Sequence, residues 1–307
     1  MRAVVVSQWG GPEVLTETET DRPEPGMGEI LVRVHAAGVN PVDWKTRESG
    51  GLIPWGPVPA VGWDVSGTVE AVGGGVTLFQ PGDEVFGMPR FPQQAGAYAE
   101  YVTAPARHFA RKPGGIDHVG AAALPLAALT AWQALVDTAG LRAGQRVLVH
   151  AAAGGVGHFA VQIAKARGAY VIGTASAGKH ELLRELGADE LIDYRSTAFE
   201  DAVSDVDIVI DAIGGEYGER SLKVLKAGGH LVTLPGPDGV PAEAPGVRTG
   251  WTLVEPDYRG LVEIAALVEA GSLRPVIDTV LPLAQAAKAH EIGEQGRTTG
   301  KIVLTVV

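Results

Sequence analysis

At 307 residues the chain exceeds the size at which a single hydrophobic core stops growing, so two domains are expected, and 46% apolar with 20% charged residues excludes global disorder. Its 25 basic and 36 acidic side chains leave a net charge of −11, which excludes a broad nucleic-acid surface and requires any anionic ligand to be held by a local device. There are no cysteines, so disulfides, thiolate metal sites, iron–sulfur clusters and cysteine nucleophiles are excluded together.

The chain opens on an apolar segment without a basic region or cleavage site, and its longest apolar stretch, 119–136, is interrupted by Pro125, Thr130 and Gln133. Neither a secretory signal nor a membrane span is expected, and the expected location is cytoplasmic. Residues 3–7, 29–36, 67–72, 84–88 and 97–103 read as short strands between turn signals such as Gly10-Gly11-Pro12, Pro25-Gly26 and Pro81-Gly82-Asp83. That pattern predicts an irregular all-β unit. Beyond Gly140, strands at 146–150, 170–174, 190–193, 207–211, 230–234 and 251–254 alternate with helical segments at 156–167, 178–186, 197–203 and 216–226. Such alternation predicts a doubly wound parallel sheet, because parallel strands need long crossover connections. A helix at 258–270, stopped by Gly271, closes this domain, and strands at 275–281 and 302–306 around a helix at 283–292 return to the β unit. The expected domains of this α/β chain are therefore 1–120 with 271–307, and 121–270.

The first strand of the alternating half runs into Ala151-Ala152-Ala153-Gly154-Gly155-Val156-Gly157 and then into an apolar-periodic helix. This is a variant of the dinucleotide fingerprint, with Ala152 where the first glycine normally stands. Gly154 lets the backbone approach a pyrophosphate, Gly157 lets the helix pack on the strand, and the helix N-terminus offers unpaired N–H groups and partial positive charge. A tight turn needs glycine for steric reasons alone. Here the preceding strand, the following helix and the βα repeats are all in place, so Ala153, Gly154, Gly155, Val156 and Gly157 are expected to hold a dinucleotide. NAD-binding chains place an acidic residue about 20 residues further on, at the end of the second strand, to hold the ribose 2′-OH. Gly173-Thr174-Ala175-Ser176 stands there, without a carboxylate. Ser176, Lys179, Tyr194 and Arg195 suit a 2′-phosphate instead, so the expected cofactor is NADPH. The plainer alternative for Lys179 and Arg195 is a solvated surface side chain. Ile213 and Leu234 follow the fourth and fifth strands, at carboxyl ends where cofactors bind.

The stretches AAGVNPVD (36–43), PAVGWDVSGTV (59–69), AAAGGVG (151–157) and GRTTGKIVL (296–304), in that order, resemble the medium-chain dehydrogenase/reductase superfamily and, within it, the zinc-independent quinone oxidoreductase branch. The resemblance covers nearly the whole chain. It implies a chaperonin-10-like β domain joined to a Rossmann domain, an active site in the cleft between them, and a homodimer. Zinc-dependent members carry a metal-ligating Cys where Asn40 stands and a His where Trp63 stands. Both are missing, the eight histidines show no short metal-ligand spacing, and no metal ligand is assigned. Without a metal the easier chemistry is hydride delivery to an acceptor that is already electron-poor, a quinone or an α,β-unsaturated carbonyl.

The same resemblance places Asn40 beside the nicotinamide, where its amide orients the ring or donates to a substrate oxygen. Thr130 is placed in contact with the nicotinamide, with a helix-buried hydroxyl bonded one turn back as the equal alternative. Lys45 occupies a position where related quinone reductases often have a tyrosine, and is either a proton or hydrogen-bond donor or an exposed lysine. Gly300 and Lys301, in the C-terminal block, are assigned to the cofactor side. Trp44, Trp55 and Trp63 are either a stacking surface for a flat substrate or the core of the β domain. The function expected is NADPH-dependent hydride transfer to a quinone or enone as small-molecule substrate. An enoyl or alkenal double-bond reductase of secondary metabolism, and a non-catalytic NADPH-binding protein of the crystallin or regulatory kind, stay open.

Overall fold

The computed structural model describes residues 1–51, 60–241 and 244–306, so Trp55 and Pro59 lie outside the described residues. One unit comprises Met1–Leu129, Glu255–Ala270 and Pro275–Val307; the other comprises Thr130–Val254 and Gly271–Arg274.

The first unit is built on the eleven-residue strand Glu29–Val39, which outruns the 29–36 expected. Along one edge it pairs antiparallel first with Tyr101–Pro105 and then with Lys301–Thr305; along the other it pairs with Asp64–Val72. The full sheet has seven strands, running Ile277–Pro282, Lys301–Thr305, Glu29–Val39, Asp64–Val72, Glu84–Gly87 and Phe109–Arg111, with Tyr101–Pro105 beside the long strand. Ile30, Val32, Val34, Val65, Val69, Val85 and Ile302 are buried in one core, as β-branched side chains on a pleated surface should be. Close approach explains one of the glycines: a Cβ on Gly38 would lie 2.4 Å from the carbonyl oxygen of Ala122.

The strand-and-turn pattern omits the helix Pro41–Ser49, which follows the long strand directly. Asn40 caps it, Pro41 opens it with a preset φ, and the Asp43 carboxylate accepts the Asn40 backbone N–H at 2.6 Å. Gly50, at φ 91°, ends it in the left-handed region.

The second unit carries six parallel strands in the order Glu190–Asp193, Tyr170–Ala175, Arg146–Val149, Val206–Asp211, Leu225–Thr233 and Arg248–Trp251. This is the doubly wound order of dinucleotide-binding sheets, reversing direction beside the first strand. The sixth strand lies three residues earlier than the 251–254 expected. Leu148, Ile172, Val209 and Leu231 are fully buried at its centre, and the helix Gly157–Ala166 follows the first strand.

The division of the chain differs from the expected 121 and 270 boundaries in three segments, each for a visible reason. Ala122 and Ala123 pack with Ala36 and Val303, and the Leu126 N–H donates to Asp64 at 2.7 Å, so residues 121–129 sit in the first unit. The helix Tyr258–Glu269 does so too, with Tyr258 against the first core and Glu269 accepting the Gly114 N–H at 3.2 Å. Residues 271–274 stay in the second unit, where the Gln162 amide brackets Arg274, accepting its N–H at 2.8 Å and donating to its carbonyl at 3.0 Å. Among the described residues no helix is long and apolar enough to cross a membrane.

Candidate active site

Strand Arg146–Val149 ends at His150, whose ring is buried between Thr174 Oγ1 at 3.2 Å and Ser221 Oγ at 3.0 Å. Burial, reinforced by the nearby Arg220 guanidinium, pushes this imidazole down to about 3, so it is neutral at ordinary pH. The chain then turns at Ala151, at φ 50°, and the Gly154 N–H donates to the Ala151 carbonyl at 2.8 Å. Gly157 opens the helix, and a Cβ there would lie 2.3 Å from Ala151 O and 2.8 Å from Ala152 Cα, both backbone atoms. No side chain fits without moving the turn. The His158 ring closes it from the far side, its Nδ1–H donating to the Gly154 carbonyl at 2.8 Å. The result is a shaped loop, half-buried at Gly154, Gly155 and Val156 and buried at Ala153 and Gly157. At the start of the ten-residue helix the His158 N–H donates to the Gly154 carbonyl at 3.2 Å, and the Phe159 and Ala160 N–H groups donate to the Val156 carbonyl at 3.1 and 3.0 Å. Neither histidine was singled out by the sequence pattern; a polar residue ending an apolar parallel strand was the available signal for His150.

The parallel register pairs Asp193 with Ala175, so Ser176 and Tyr194 leave the sheet side by side. Ser176 and Lys179 are half-buried; Tyr194 and Arg195 are exposed, the guanidinium 5.9 Å from the Tyr194 ring. The Asp193 carboxylate turns into its own loop, accepting the Arg195 N–H at 3.0 Å. On the other side of the cradle strand, Asp211 Oδ1 accepts the N–H groups of Ile213 and Gly214, each at 2.9 Å. The Leu234 N–H donates to the Asp211 carbonyl at 2.9 Å. Ile213 and Leu234 thus stand at adjacent carboxyl ends. Thr130 is buried on the helix Pro125–Trp132.

In the first unit, three neighbouring strands deliver a buried polar cluster. Asn40 Nδ2 donates to Asp64 Oδ2 at 2.8 Å, and Lys301 Nζ donates to Asn40 Oδ1 and, at 3.3 Å, to Asp64 Oδ2. All three side chains are buried. One turn into the following helix, Asp43 Oδ2 also accepts the Tyr98 hydroxyl at 3.0 Å, and Tyr98 meets His290 Nε2 at 3.3 Å. Arg47 bonds His290 Nδ1 at 3.2 Å and Glu294 at 2.5 Å. Because a guanidinium only donates, Nδ1 accepts, and the His290 proton lies on Nε2, directed at Tyr98. Lys45, by contrast, is exposed on that helix, outside the cluster. Gly300 is buried at φ 75°, where a Cβ would meet the Val276 carbonyl oxygen at 2.2 Å.

Residues 26–114 match a family model described as the alcohol dehydrogenase GroES-like domain, and residues 186–304 match one described as zinc-binding dehydrogenase. The NADPH-dependent alkenal/one oxidoreductase, chloroplastic, of Arabidopsis thaliana is 38% identical over 315 residues, covering 99% of this chain and 79% of the relative. Among solved structures, the quinone oxidoreductase from Coxiella burnetii superposes with a TM-score of 0.91 at 36% identity, covering 100% of this chain and 99% of that one. The chain belongs to the medium-chain dehydrogenase/reductase superfamily, on its quinone oxidoreductase branch. An Escherichia coli quinone oxidoreductase complexed with NADPH (TM-score 0.88, 29% identity, full coverage of both chains) and an NAD-dependent alcohol dehydrogenase (0.91, 37%, full coverage of both) have the same fold.

Within this superfamily the first unit is the GroES-like part and the second the Rossmann part. Trp63, at the place where the resemblance puts a zinc-ligating histidine, is a core residue: it is 1% exposed, packs edge-on against Phe91, and donates its indole N–H to the Gln93 carbonyl at 2.7 Å. Trp44 is half-buried against the core that holds Ile30, Val65 and Ile302. Asp43 is the unusual acid of the cluster, with Oδ1 buried and unpartnered. Burial pushes its carboxyl up to about 7, against the Asn40 N–H and the Tyr98 hydroxyl, which favour the charged form. A folded value above the unfolded one means that its stabilising effect is fully present below the usual carboxylate range and is lost as pH rises through about 7. Asp43→Asn removes the titration, so its stability relative to wild type should improve between pH 5 and pH 8 in denaturant unfolding. An unchanged difference at the two pH values would show that Asp43 is ionised throughout.

Proposed function

We propose that this chain is an NADPH-dependent, zinc-independent reductase that delivers hydride to a quinone or a carbonyl-conjugated alkene. What carries the reading is the glycine turn before a helix, joined to a neighbouring strand end that offers Ser176, Lys179 and Tyr194 where a carboxylate would select NADH. The cradle fits a dinucleotide: Gly157 leaves no room for a side chain, and Gly154, Gly155 and Val156 remain accessible. In this reading the 153–157 backbone holds the pyrophosphate, Ser176, Lys179 and Tyr194 take the 2′-phosphate, and Ile213 and Leu234 flank the cofactor. Thr130 and Asn40 serve the nicotinamide end. NADPH, when bound, supplies the hydride. Asn40 donates a neutral hydrogen bond to the oxygen on which negative charge develops. The exposed Lys45 is assigned no part in this step.

The names of the Arabidopsis and Coxiella proteins support both acceptor classes. The alcohol dehydrogenase among the structural neighbours favours the reverse chemistry. Against it stands the residue set: alcohol oxidation on this fold needs a Lewis acid for the alkoxide, and a chain with no cysteine, with Asn40 and Trp63 at two ligand positions, is poorly equipped to hold one. Steady-state oxidation of NADPH against quinones, enones, enoyl thioesters and, in reverse, ethanol decides the matter. Turnover with quinones or enones and none with ethanol is expected; efficient ethanol oxidation lost to a chelator would overturn the zinc-independent mechanism.

A charge-assisted contact contributes on the order of 1.5–3 kcal/mol, so Lys179→Ala should raise the NADPH Kd roughly tenfold or more while leaving NADH nearly unchanged, measured by cofactor fluorescence titration. Equal losses for both cofactors would remove the lysine from phosphate recognition.

The resemblance also implies a homodimer, and the strand Arg248–Trp251, last in its sheet among the described residues, offers an edge at which a second copy can add. Light scattering should give twice the chain mass. A single-chain mass at assay concentration would exclude the dimer as the working form.

A further inference from the structure

The register of the first sheet sets Ile302 opposite Val39 and Asp64 opposite Gly38, which brings Lys301, Asn40 and Asp64 to one end of three adjacent strands. An ammonium buried to 2% exposure is costly unless its protons are bonded, and those of Lys301 go to Asn40 Oδ1 and Asp64 Oδ2. The same Asp64 oxygen accepts Asn40 Nδ2, while the other accepts the Leu126 N–H at 2.7 Å. An ammonium only donates and a carboxylate only accepts. The Asn40 amide therefore has one permitted orientation, oxygen toward Lys301 and nitrogen toward Asp64. Turned over, it would set NH2 against the ammonium and oxygen against the carboxylate, two repulsions in a buried site. With both bonds made, one hydrogen on Nδ2 is left to give.

We propose that Lys301 is a positioning residue: with Asp64 it locks the Asn40 amide so that an N–H, and not the carbonyl oxygen, is presented to the reacting partner. Resting on the reductase reading above, this makes Asn40 a dedicated donor, and it moves Lys301 from the cofactor-contacting role expected of it to one exercised through Asn40. The Lys301–Asp64 pair alone would hold the strands together, but only the third member needs its two ends told apart.

Two arms test this. In the cofactor-free protein, selective labelling of asparagine gives the side-chain amide signals of Asn40, identified by their loss in Asn40→Ala. Lys301→Met should shift them and speed their exchange with solvent, and Lys301→Arg should largely restore them. In the second arm, kcat for NADPH-dependent reduction of a simple naphthoquinone or enone is measured through a double-mutant cycle. Asn40→Ala should lower kcat roughly a hundredfold, as removing one oxyanion donor does. Lys301→Met should lower it about ten- to a hundredfold with the NADPH Kd within about twofold, and should lower it no further on the Asn40→Ala background. Equal losses in both backgrounds, in step with a fall in Tm, would make Lys301 merely structural and overturn the proposal, as would unchanged Asn40 signals. Should Lys301→Met not fold, Asp64→Asn takes its place in both arms, and an Asn40 signal indifferent to Asp64→Asn counts against the lock. A wild-type chain without NADPH turnover refutes the reductase reading instead, and the amide signals still decide the role of Lys301.

Discussion

One buried carboxylate organises the first unit. Asp64 stands at the start of its strand with both oxygens engaged, one by the Leu126 backbone and the other by Asn40 and Lys301. These bonds join the end of the long strand, the start of Lys301–Thr305 and the start of the helix Pro125–Trp132 at a single point. Breaking such a point is expensive because each freed group is then buried without a partner, an effect larger than the net worth of any one of the bonds. Gly38 and Gly300 belong to the same construction: a Cβ on Gly38 would lie 2.8 Å from Asp64 Cβ and 2.9 Å from Asp64 Oδ2, and one on Gly300 would meet the Val276 carbonyl oxygen that accepts the Lys301 N–H.

The second unit solves a different problem with the same economy. On the proposed reading, a negatively charged chain that is to hold an anion concentrates its means at a few strand ends: the backbone of the glycine turn, and Ser176, Lys179, Tyr194 and Arg195 at the next two strands. The turn is kept in shape by two histidines. Burial holds His150 uncharged, so it bonds two hydroxyls without adding a charge beneath the cradle, and His158 ties the Gly154 carbonyl back to the helix.

The alternating half of the chain was readable because its strands are near-continuous apolar runs buried on both faces, and strand order follows from the handedness of the crossovers. The glycine turn was readable for the same reason: its steric demand is local. The helix Pro41–Ser49 was not, because its inward face carries Asp43, Thr46 and Arg47 instead of an apolar stripe, with Asp43 bonded to Asn40 and Tyr98 and Arg47 to Gly10 and His290. Its start was nevertheless encoded in Asn40-Pro41 and the acid at Asp43. Lys301 was legible only as one member of a block, since a lysine is normally at the surface and nothing short of the strand register reveals that it lies against Asn40. The domain boundary was missed for a related reason. Tertiary bonds such as Leu126 to Asp64 and Gln162 to Arg274 decide where a segment belongs, and they span 62 and 112 residues of sequence.

The charge balance of the Asp64 cluster limits the chemistry it can serve. The Lys301 ammonium and the Asp64 carboxylate cancel, and burial favours the neutral form of Asp43 close by, so Asn40 works in surroundings with little net charge. A neutral amide strengthens its hold on an oxygen as negative charge grows there, but it cannot lower the pKa of a bound hydroxyl as a divalent cation would. Such a site is matched to substrates that reach the charged state by accepting hydride into an already electron-poor system, and mismatched to those that must first surrender a proton. On the proposed reading, the residue that stands where the resemblance puts a ligating cysteine selects the direction of the reaction, and the buried lysine that orients it is part of the same substitution.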